Sequence, residues 1–371
     1  MKTVAVFSAY YYPHLGGIER YIDNMMREFI KRNINVILIT SNYNNDINRE
    51  IKNGLDIYRL PVYNIFKNRY PIIKKNKEYF CLMKELEKKD IDCIIVNTRF
   101  HLTSHVGINL AKKKKIPVYL IEHGSNYVTV DNKFLDFFAN RYEDFLTYKI
   151  KRNVTGFYGV SNACSNWLKR FKIKASGTWY NSIDFEQKKT NKKKHNTINF
   201  LYAGRLIKQK GVENILKSFI NLEKKYDNIR LYIAGDGPEF NYYKDNYVSS
   251  NISFLGKLDY KGLLKYYSIT DIFLYPPLWP EGLPTSILEA GLTNCAVIAT
   301  DQGGISEVIN EETGLLVGNT QKELEKGMEE LIKNKKLRDK YIKNLNESIK
   351  NNFSWSVTSE KILKDVNLWQ K

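Results

Sequence analysis

Residues 4–31 are VAVFSAYYYPHLGGIERYIDNMMREFIK, and this stretch predicts the fold of the first part of the chain. It opens with a short apolar run, Val4–Ala9, that is typical of a buried strand. After a turn that contains Gly16 and Gly17, apolar residues return at helical spacing through Ile18–Lys31. A strand, a glycine turn and an amphipathic helix in succession predict a parallel α/β unit.

Short apolar runs and helix-length amphipathic segments keep alternating along the rest of the chain. Further strands are predicted at Val36–Thr40, Ile57–Pro61, Cys93–Asn97, Val118–Glu122, Phe157–Ser161, Ile198–Ala203, Ile229–Ala234, Ile252–Leu255, Ile272–Tyr275 and Ala296–Thr300. Helices of the second half are predicted near 211–226, 239–248, 259–269, 283–294 and 320–334. The fold class is therefore α/β, with two doubly wound Rossmann-like domains that we expect to face each other across a cleft.

A polar, basic segment, EQKKTNKKKHN at residues 186–196, separates the two series of elements. It has no hydrophobic periodicity, so we interpret it as an interdomain linker rather than a nucleic-acid-binding run. The predicted domains are then 1–185 and 197–352. Residues 353–371 are predicted to be helical, and Trp355 can let this C-terminal helix pack back onto the first domain. Ligands of open parallel sheets bind beyond the carboxyl ends of the strands, so the site is expected in the cleft.

The composition excludes several classes of protein. The 371 residues are 43% hydrophobic and 26% charged, near the averages of globular domains, which excludes collagen-like, coiled-coil and wholly disordered chains. No apolar stretch approaches the ~18 residues of a membrane-spanning helix, and the opening residues are interpreted as a strand rather than a signal peptide. The four cysteines form no C-x-x-C pair, which predicts a reduced, cytoplasmic chain without structural zinc.

Positive charge is concentrated in the first half of the chain. Residues 1–180 hold 30 Lys and Arg against 16 Asp and Glu, whereas residues 181–371 hold 28 against 24. A codon bias toward Lys, Asn, Ile and Tyr is one explanation. The other is a first domain that meets an anionic surface, such as a membrane leaflet or a phosphate-bearing substrate. The asymmetry favours the second explanation, since Lys is common in both halves.

A basic turn follows the first strand of the second domain. In GRLIKQKG, residues 204–211, Arg205 and Lys210 lie between a strand end and a helix start. Arg offers a planar pair of donors and Lys a point charge, a combination that suits a pyrophosphate. A solvated basic turn is the alternative.

The segment EGLPTSILEA, residues 281–290, is the most specific motif of the chain. A helix is predicted to begin near Leu283, with Pro284 in its first turn, where proline costs no hydrogen bond. The backbone N–H groups of Leu283, Thr285 and Ser286 would then be available to bind an anion.

Two glutamates belong to the same motif. Glu281 lies just before the helix and can accept hydrogen bonds from sugar hydroxyls. Glu289 lies two turns into the helix and can accept a pair of hydrogen bonds from vicinal hydroxyls such as a ribose diol. Carboxylate pairs also serve hydrolases, but their roles depend on a spatial distance that the sequence does not contain. An ordinary capped helix with two solvated glutamates is the alternative.

Two features of the first domain are weaker candidates. Gly16 and Gly17 would let the backbone approach a ligand at a helix N-terminus, although such a pair is often only a turn. His123, in EHGS at residues 122–125, follows a strand and could donate a hydrogen bond to a substrate or stabilise developing charge, or it could be structural.

No metal site is predicted. Asp90 and Asp92 resemble a metal-binding D-x-D, but they precede a strand rather than follow one. His101 and His105 have helical spacing, with no carboxylate between them and no third ligand, which argues against zinc.

Taken in order, these motifs resemble the retaining family 4 glycosyltransferases (glycosyl transferases group 1 type), which have the two-domain GT-B fold. The resemblance covers nearly the whole chain. One departure is Asn181–Asp184, where many members have Asn-Gly-Val-Asp, and we assign it no role. The matching motifs are the Gly16–Gly17 loop, EHGS, GVS at 159–161, YNSID at 180–184, GRLIKQKG, AGDGP at 234–238, EGLPTSILEA and TDQGG at 300–304.

The resemblance implies a role for each motif residue. Arg205 and Lys210 would neutralise the donor diphosphate, Glu281 would hold the donor sugar, Glu289 the ribose, and His123 would lie beside the reacting carbon. The catalytic residues implied are His123, Glu281, Arg205 and Lys210, and the donor-binding residues are Gly16, Gly17, Arg205, Lys210, Glu281, Gly282, Leu283, Pro284, Thr285 and Glu289.

The implied reaction moves a hexose or N-acetylhexosamine from a nucleotide diphosphate sugar, with UDP favoured, to an acceptor hydroxyl with retention at the anomeric carbon. The nucleotide sugar is a substrate, and neither a cofactor nor a metal is expected. The acceptor would be a saccharide or a lipid-linked saccharide in cell-surface polysaccharide biosynthesis, with no nucleic acid as partner. Negative charge would build on the departing diphosphate, opposed by cations and a helix N-terminus.

A peripheral position at the inner face of the cytoplasmic membrane would fit the basic first domain. The segment 69–89, RYPIIKKNKEYFCLMKELEKK, mixes Lys with apolar residues and could lie on such a surface, or it could form an ordinary core helix.

Two other functions stay open on the sequence. One is a non-catalytic basic protein that binds nucleic acid or membrane. The other is a different sugar-nucleotide enzyme, such as an epimerase, on the same fold. The enzyme hypotheses predict that Arg205 and Glu281 are needed for activity, whereas the binding-protein hypothesis predicts that they are not.

Overall fold

Each half of the chain is built around one predominantly parallel β-sheet. The chain forms two units, Met1–Tyr180 with Trp355–Lys371 and Asn181–Ser354. The first boundary therefore precedes the one predicted at residue 185. The predicted linker at 186–196 lies outside the described residues, apart from three of its positions. This computed structural model describes residues 1–14, 16–44, 47–65, 70–129, 132–184, 192 and 195–369.

The first unit contains, among its described residues, a nine-stranded sheet and six α-helices. The strands are β1 (Thr3–Phe7), β2 (Asn35–Asn42), β3 (Arg49–Lys52), β4 (Leu55–Ile65), β5 (Tyr70–Ile73), β6 (Cys93–Asn97), β7 (Val118–Glu122), β8 (Gly156–Gly159) and β9 (Gly177–Thr178). The helices are α1 (Gly17–Lys31), α2 (Lys77–Lys88), α3 (Leu102–Lys114), α4 (Lys133–Ile150), α5 (Asn162–Trp167) and, from the end of the chain, α12 (Trp355–Asp365).

The strand order of this sheet is β3-β4-β2-β1-β6-β7-β8-β9, and β5 pairs with β4. The pairs are parallel except for those that β3 and β5 make with β4. The direction of winding reverses between β1 and β6. Loops that follow these two strands, and β7 beside them, therefore carry the positions where a doubly wound sheet binds ligands.

The second unit contains a fully parallel, six-stranded sheet within the described residues, in the order β12-β11-β10-β13-β14-β15. Its winding reverses between β10 and β13. The strands are β10 (Ile198–Ala203), β11 (Ile229–Ala234), β12 (Ile252–Gly256), β13 (Ile272–Tyr275), β14 (Ala296–Thr300) and β15 (Leu315–Val317). The helices are α6 (Val212–Glu223), α7 (Phe240–Asn246), α8 (Tyr260–Tyr267), α9 (Thr285–Leu292), α10 (Gln321–Lys333) and α11 (Lys335–Asn352).

The strands form where the sequence has continuous apolar runs, because helices cover both faces of a parallel sheet. Every residue of β6, β7 and β14 is buried. Side chains cap several helices. Asn76 accepts a hydrogen bond from the Tyr79 amide at the start of α2, and Thr320 with Glu323 forms a capping box at the start of α10.

The last helix, α12, packs against α1 in the first unit. Trp355, Ile362 and Leu363 are buried in the same apolar core as Tyr21 of α1. The indole N–H of Trp179 donates a hydrogen bond of 2.7 Å to Asp365. Burial of these large side chains ties the end of the chain to its first unit.

The predicted α/β class with two parallel sheets is confirmed, and every predicted strand is present. The helix predicted over 283–294 is shorter, because it begins at Thr285. The short strands β3, β5 and β15 were not predicted, because three or four residues are too few to show a clear hydrophobic pattern. No helix in the described part of the chain has the length and apolarity that crossing a membrane requires.

Candidate active site

The basic turn after β10 is held against the segment after β13. Gly211, the residue before α6, has a φ of 68°. A Cβ at this position would collide with the carbonyl oxygen of Pro276. The Leu278 amide donates to the Gln209 carbonyl at 2.8 Å. A glycine is therefore required at 211, and its close approach brings the two loops at the sheet's reversal point together.

Lys210 and Glu281 form an ion pair at this point. The Lys210 Nζ lies 2.6 Å from Oε1 of Glu281 and 2.9 Å from the hydroxyl of Tyr275. The two charged side chains are 15% and 23% exposed, so the pair borders solvent. An ammonium has three N–H donors. Within the described residues two of them are engaged here, which leaves one for an anion.

Tyr275, the last residue of β13, connects the members of this cluster. Burial raises the pKa of its hydroxyl well above the ordinary value, the nearby Glu281 carboxylate raises it further, and Arg205 opposes the rise. Arg205, in the same loop as Lys210, is exposed. The Tyr202 hydroxyl donates a hydrogen bond of 2.9 Å to the carbonyl oxygen of Arg205, which orients the loop after β10.

The backbone of Glu281 is fixed by the TDQGG segment. Glu281 and Gly303 form a parallel β-bridge, and the Gly304 amide donates to the Glu281 carbonyl at 3.0 Å. Gly303 has a φ of 68°, and a Cβ there would collide with that same carbonyl oxygen. This close approach explains the first glycine of the pair.

The helix after Glu281 starts later than the sequence predicted. Pro284 is not in the first turn of α9. It precedes the helix, with φ −74° and ψ 122°, and its extended ψ is incompatible with a helical residue. The Ile287 amide donates to the Pro284 carbonyl at 3.3 Å, so the amides of Thr285 and Ser286 lie at the open helix end.

Leu283 is buried, with its carbonyl oxygen 2.8 Å from the Nδ2 of Asn181. Sequence reasoning assigned no role to Asn181, yet its side chain braces the loop that carries Gly282 and Leu283. The asparagine of the YNSID motif was the available signal.

Glu289 is only 7% exposed and lies against the buried ring of Tyr267. The Tyr267 hydroxyl is 3.5 Å from Oε2 of Glu289, a long hydrogen bond. Burial raises the pKa of Tyr267 well above the ordinary value, and the Glu289 carboxylate raises it further. The alternative of two solvated glutamates therefore does not describe this residue.

In the first unit, His123 is held by Asn97. The His123 Nε2 lies 2.9 Å from Oδ1 of Asn97, whose Nδ2 donates to the Phe7 carbonyl at 3.0 Å. That second bond sets the amide's orientation, so Nε2 carries the proton and donates. Burial lowers the pKa of His123 to about 3, with a smaller contribution from His101. The ring is therefore neutral, and Nδ1 can only accept a hydrogen bond.

Glu122, the residue before His123, belongs to a buried charge cluster. Arg99 is 1% exposed and lies 2.7 Å from a carboxylate oxygen of Glu122 and 2.7 Å from one of Glu143. Burial raises the pKa of Glu143 to about 7, Arg99 opposes the rise and Glu122 adds to it. We call Arg99, Glu122 and Glu143 the buried triad. Its members support the loops after β6 and β7.

The Gly16–Gly17 turn serves two different purposes. Gly16 precedes α1, and a Cβ on it would lie 2.6 Å from Oε2 of Glu19, so Gly16 makes room for a buried carboxylate. A Cβ on Gly17 would meet nothing within 4 Å. Only Gly17 has the open approach that a ligand needs.

Of the residues set aside as metal ligands, Asp92 is engaged in hydrogen bonds and the two histidines are buried. Asp92 accepts hydrogen bonds from Lys2 at 2.7 Å and from the Thr3 amide at 2.8 Å, at the start of the neighbouring strands. His101 and His105 are buried, and burial lowers the pKa of each to about 4. Among the residues that the structure describes, no group of three or more His, Cys, Asp or Glu could hold a metal ion.

Comparisons with known proteins agree with these motifs. The family described as Glycosyltransferase Family 4 matches residues 15–187, and the family described as Glycosyl transferases group 1 matches residues 183–348. An uncharacterized glycosyltransferase of Methanocaldococcus jannaschii is 30% identical over 371 residues, and the match covers 94% of each protein. The chain belongs to the group 1, family 4-type glycosyltransferases.

A second relative of this glycosyltransferase is the GPI3 subunit of phosphatidylinositol N-acetylglucosaminyltransferase from Saccharomyces cerevisiae. It is 23% identical over 327 residues, which are 84% of this chain and 70% of the relative.

Solved structures share the fold. Sucrose-phosphate synthase from Thermosynechococcus elongatus superposes with a TM-score of 0.81 at 18% identity, over 99% of this chain and 98% of that one. HepE from Anabaena, in complex with UDP and glucose, superposes with a TM-score of 0.73 at 14% identity over all of both chains.

Within the glycosyltransferase, the structure pairs two of the predicted site residues, Lys210 and Glu281. Two others, Arg205 and Thr285, lie in the segments that follow β10 and β13 at the reversal point of the second sheet. Tyr275 was missed. In the sequence, the one feature that could have indicated Tyr275 is its position at the end of β13, just before the loop that leads to the EGLPTSILEA motif. His123, Gly16 and Gly17 belong to the other unit, and Glu289 lies deeper in α9.

Proposed function

We propose that this glycosyltransferase moves a hexose or N-acetylhexosamine from a UDP-sugar to an acceptor hydroxyl, with retention at the anomeric carbon. The observation that carries the proposal is the cluster of Lys210, Glu281 and Tyr275, with Arg205 beside it, next to the open start of α9. A cation pair and open amides are suited to a leaving diphosphate.

Lys210 and Arg205 would oppose the charge that builds on the diphosphate as the glycosidic bond breaks. Lys210 is already held by Glu281 and Tyr275, so little reorganisation is needed when the charge appears. Removing one such donor typically costs about 3 kcal/mol, or roughly a hundredfold in rate. The amides of Thr285 and Ser286 add a second source of positive potential.

Glu281 would serve both the cation and the sugar. A carboxylate has about four acceptor positions, so it can bind Lys210 through Oε1 and still accept hydrogen bonds from hydroxyl groups. Lys210 in turn orients the carboxylate through their 2.6 Å contact. This dual use gives a physical reason for Glu281 to lie within hydrogen-bond distance of Lys210.

The remaining assignments follow the family resemblance. Glu289 would accept from the ribose, and Gly17 would offer its amide to the donor. His123, neutral and protonated on Nε2, would accept a hydrogen bond at Nδ1 rather than donate one. We propose that side chains and amides oppose the diphosphate charge without a divalent ion, and that attack occurs on the face from which the diphosphate leaves.

UDP as the donor nucleotide is supported by the HepE complex with UDP and glucose. A thermal-shift comparison of UDP, GDP and UDP-sugars tests this assignment. A ligand that binds only the folded state raises stability by RT ln(1 + [L]/Kd). We expect UDP to raise the melting temperature and the Lys210→Met variant to lose most of the shift. No shift with any of these nucleotides would contradict the donor site.

The acceptor is proposed to be a lipid-linked saccharide of cell-surface polysaccharide biosynthesis, with the enzyme peripheral at the inner face of the cytoplasmic membrane. Two observations support this. The relative from Saccharomyces cerevisiae is named for a phosphatidylinositol substrate, and the positive charge of this chain is concentrated in residues 1–180. Transfer to a lipid-linked saccharide, measured by radiolabel in an organic extract, would test the acceptor class.

A further inference from the structure

Helix α4 exposes a large apolar face. The exposed fraction of the side chain is 71% for Phe134 and 61% for Phe145. The rings of Phe134 and Phe138 are in edge-to-face contact at 5.0 Å. Large apolar side chains that are exposed side by side are typical of interaction sites, whereas single exposed apolar residues are ordinary. The apolar residues of α4 that are at least 44% exposed are Phe134, Leu135, Phe137, Phe138, Tyr142, Phe145 and Tyr148.

These residues share one side of the helix. Phe134, Phe138, Tyr142, Phe145 and Tyr148 follow the spacing of three or four that places side chains on one face. The core contacts of α4 are made by other positions, since the buried residues of the helix are Glu143, Leu146, Thr147 and Ile150. We call the exposed side the aromatic face of α4.

The acidic residues of α4 are engaged away from this face. Glu143 pairs with Arg99 in the buried triad. Asp144 accepts from the Tyr127 hydroxyl at 2.6 Å, and Asp136 accepts from the Thr129 hydroxyl at 2.6 Å. The aromatic face therefore carries little negative charge.

Cations are interleaved with the aromatic rings. The Arg141 guanidinium lies over Phe137 at 5.5 Å, and the Lys151 ammonium lies over Tyr148 at 3.7 Å. Residues 145–183 contain seven Lys and Arg and no Asp or Glu. One residue of this basic stretch is connected to α4 through Tyr127. Arg170 donates a hydrogen bond of 2.8 Å to the Tyr127 hydroxyl, and that hydroxyl donates to Asp144 of α4.

The composition of the face selects its occupant. Phe and Tyr combined with Lys and Arg are typical of helices that lie in the interface of an anionic bilayer. A second copy of this chain would fit poorly, because a two-fold interface would bring two copies of the same positively charged surface together.

The segment 69–89, which the sequence offered as a membrane surface, is used differently. Its helix α2 buries Tyr79, Leu82 and Leu86 in the core, so its apolar stripe packs within the first unit. Within Lys77–Lys88, all of which the structure describes, Phe80 is the one large apolar residue that is exposed, at 53%. Phe80 therefore provides a matched control.

We propose that the aromatic face of α4, with the neighbouring cations Arg141, Lys149 and Lys151, is the surface by which this glycosyltransferase lies on an anionic lipid bilayer. None of these residues is assigned to the donor site. The biological role of this surface rests on the proposed lipid-borne acceptor, whereas the observations that indicate membrane binding concern α4 itself.

Vesicle flotation of the full chain tests the proposal. The protein should float with vesicles of phosphatidylcholine and phosphatidylglycerol at low salt, and far less with phosphatidylcholine alone. Phe134→Ser with Phe138→Ser should lower partitioning roughly tenfold or more, because two exposed rings no longer leave water. Phe80→Ser should partition like the wild type.

Several results would overturn it. These are no flotation of the wild type with anionic vesicles, equal losses for Phe80→Ser and for the double variant, or undiminished binding of the double variant. A wild-type dimer in analytical ultracentrifugation that the double variant dissolves would assign the face to a second copy instead. The UDP thermal shift, measured on the same samples, separates the two proposals: the double variant should keep the wild-type shift, whereas no shift in the wild type counts against the donor site alone.

Discussion

Lys210 with Glu281 in the second unit, and Arg99 with Glu122 and Glu143 in the first, are both cation–carboxylate clusters at the carboxyl ends of parallel strands. The side chains of the first pair are 15% and 23% exposed. Those of Arg99 and Glu122 are 1% exposed. The same residue types therefore have different roles in the two clusters. A pair at the border of solvent keeps a donor for a ligand, whereas a cluster sealed in the protein can only support the fold.

The energetics of the two clusters should differ accordingly. Inside the protein, charges lose their hydration, and removing one partner leaves another uncompensated. At the border of solvent, water can replace a lost partner, so the effect on stability is smaller. Variants of each cluster should separate stability from nucleotide binding.

The largest expected effect is on stability in the buried triad. Arg99→Met should lower the free energy of unfolding by about 3–5 kcal/mol, since two buried carboxylates lose their cation. Urea denaturation followed by circular dichroism measures this loss. Lys364→Met, at an ion pair with Glu360 in which both side chains are at least 40% exposed, should change it by about 0–1 kcal/mol. Equal effects of the two substitutions would remove the distinction between the clusters.

The next effect is on catalysis at the exposed pair. Lys210→Met should reduce transfer roughly a hundredfold, about 3 kcal/mol in the barrier, because the leaving diphosphate loses a preorganised cation. Turnover of UDP-sugar to UDP measures it. Lys208→Met, in the same turn but exposed, is the control and should retain activity. A fully active Lys210→Met enzyme would reject the assigned role.

A third prediction concerns the pH dependence of the buried triad. Burial raises the pKa of Glu143 to about 7 in the folded state from an ordinary 4.5, so between these values the folded chain binds more protons than the unfolded chain. The contribution of Glu143 is present at low pH and is lost as pH rises through about 7.

Glu143→Gln keeps an acceptor for Arg99 and cannot ionise. The wild type should therefore lose stability relative to this variant as pH rises, by at most about 1.4 kcal/mol per pH unit. Urea denaturation at about pH 5 and about pH 8 measures the change. A constant difference between the two proteins would show that Glu143 has an ordinary pKa.

The smallest expected effect is at the connection between the pair and the strand. Tyr275→Phe removes the hydroxyl that contacts Lys210 at 2.9 Å, a hydrogen bond to a charged group that contributes about 1.5–3 kcal/mol at most. We expect weaker UDP binding, because Lys210 loses a contact that positions it, together with a lower melting temperature, because a buried hydroxyl group and its hydrogen bonds are lost. Tyr242→Phe, at an exposed ring of the same unit, should bind UDP normally, and identical binding by both variants would exclude Tyr275 from the site.

Much of the donor-side site could be predicted because its motifs lie next to strand ends. Arg205 and Lys210 follow β10, and Glu281 follows β13, so parallel pairing of these strands brings them together. The sequence could not show that Lys210 pairs with Glu281, nor that Tyr275 joins them, because such contacts depend on side-chain directions. Pro284 was predicted inside the first turn of α9 but precedes the helix, and this helix boundary depends on the ψ angle of a single residue.

The sequence alone determined the alternation of strands and helices, the two parallel sheets and the motifs after their strands, because these features are local in the chain. The tertiary structure determined which side chains are buried and which residues they contact. It sealed Arg99 with two glutamates from distant positions, fixed the proton of His123 through Asn97, and left the aromatic face of α4 in solvent. A hydrophobic period shows that a helix has an apolar side, but only packing shows whether anything covers it.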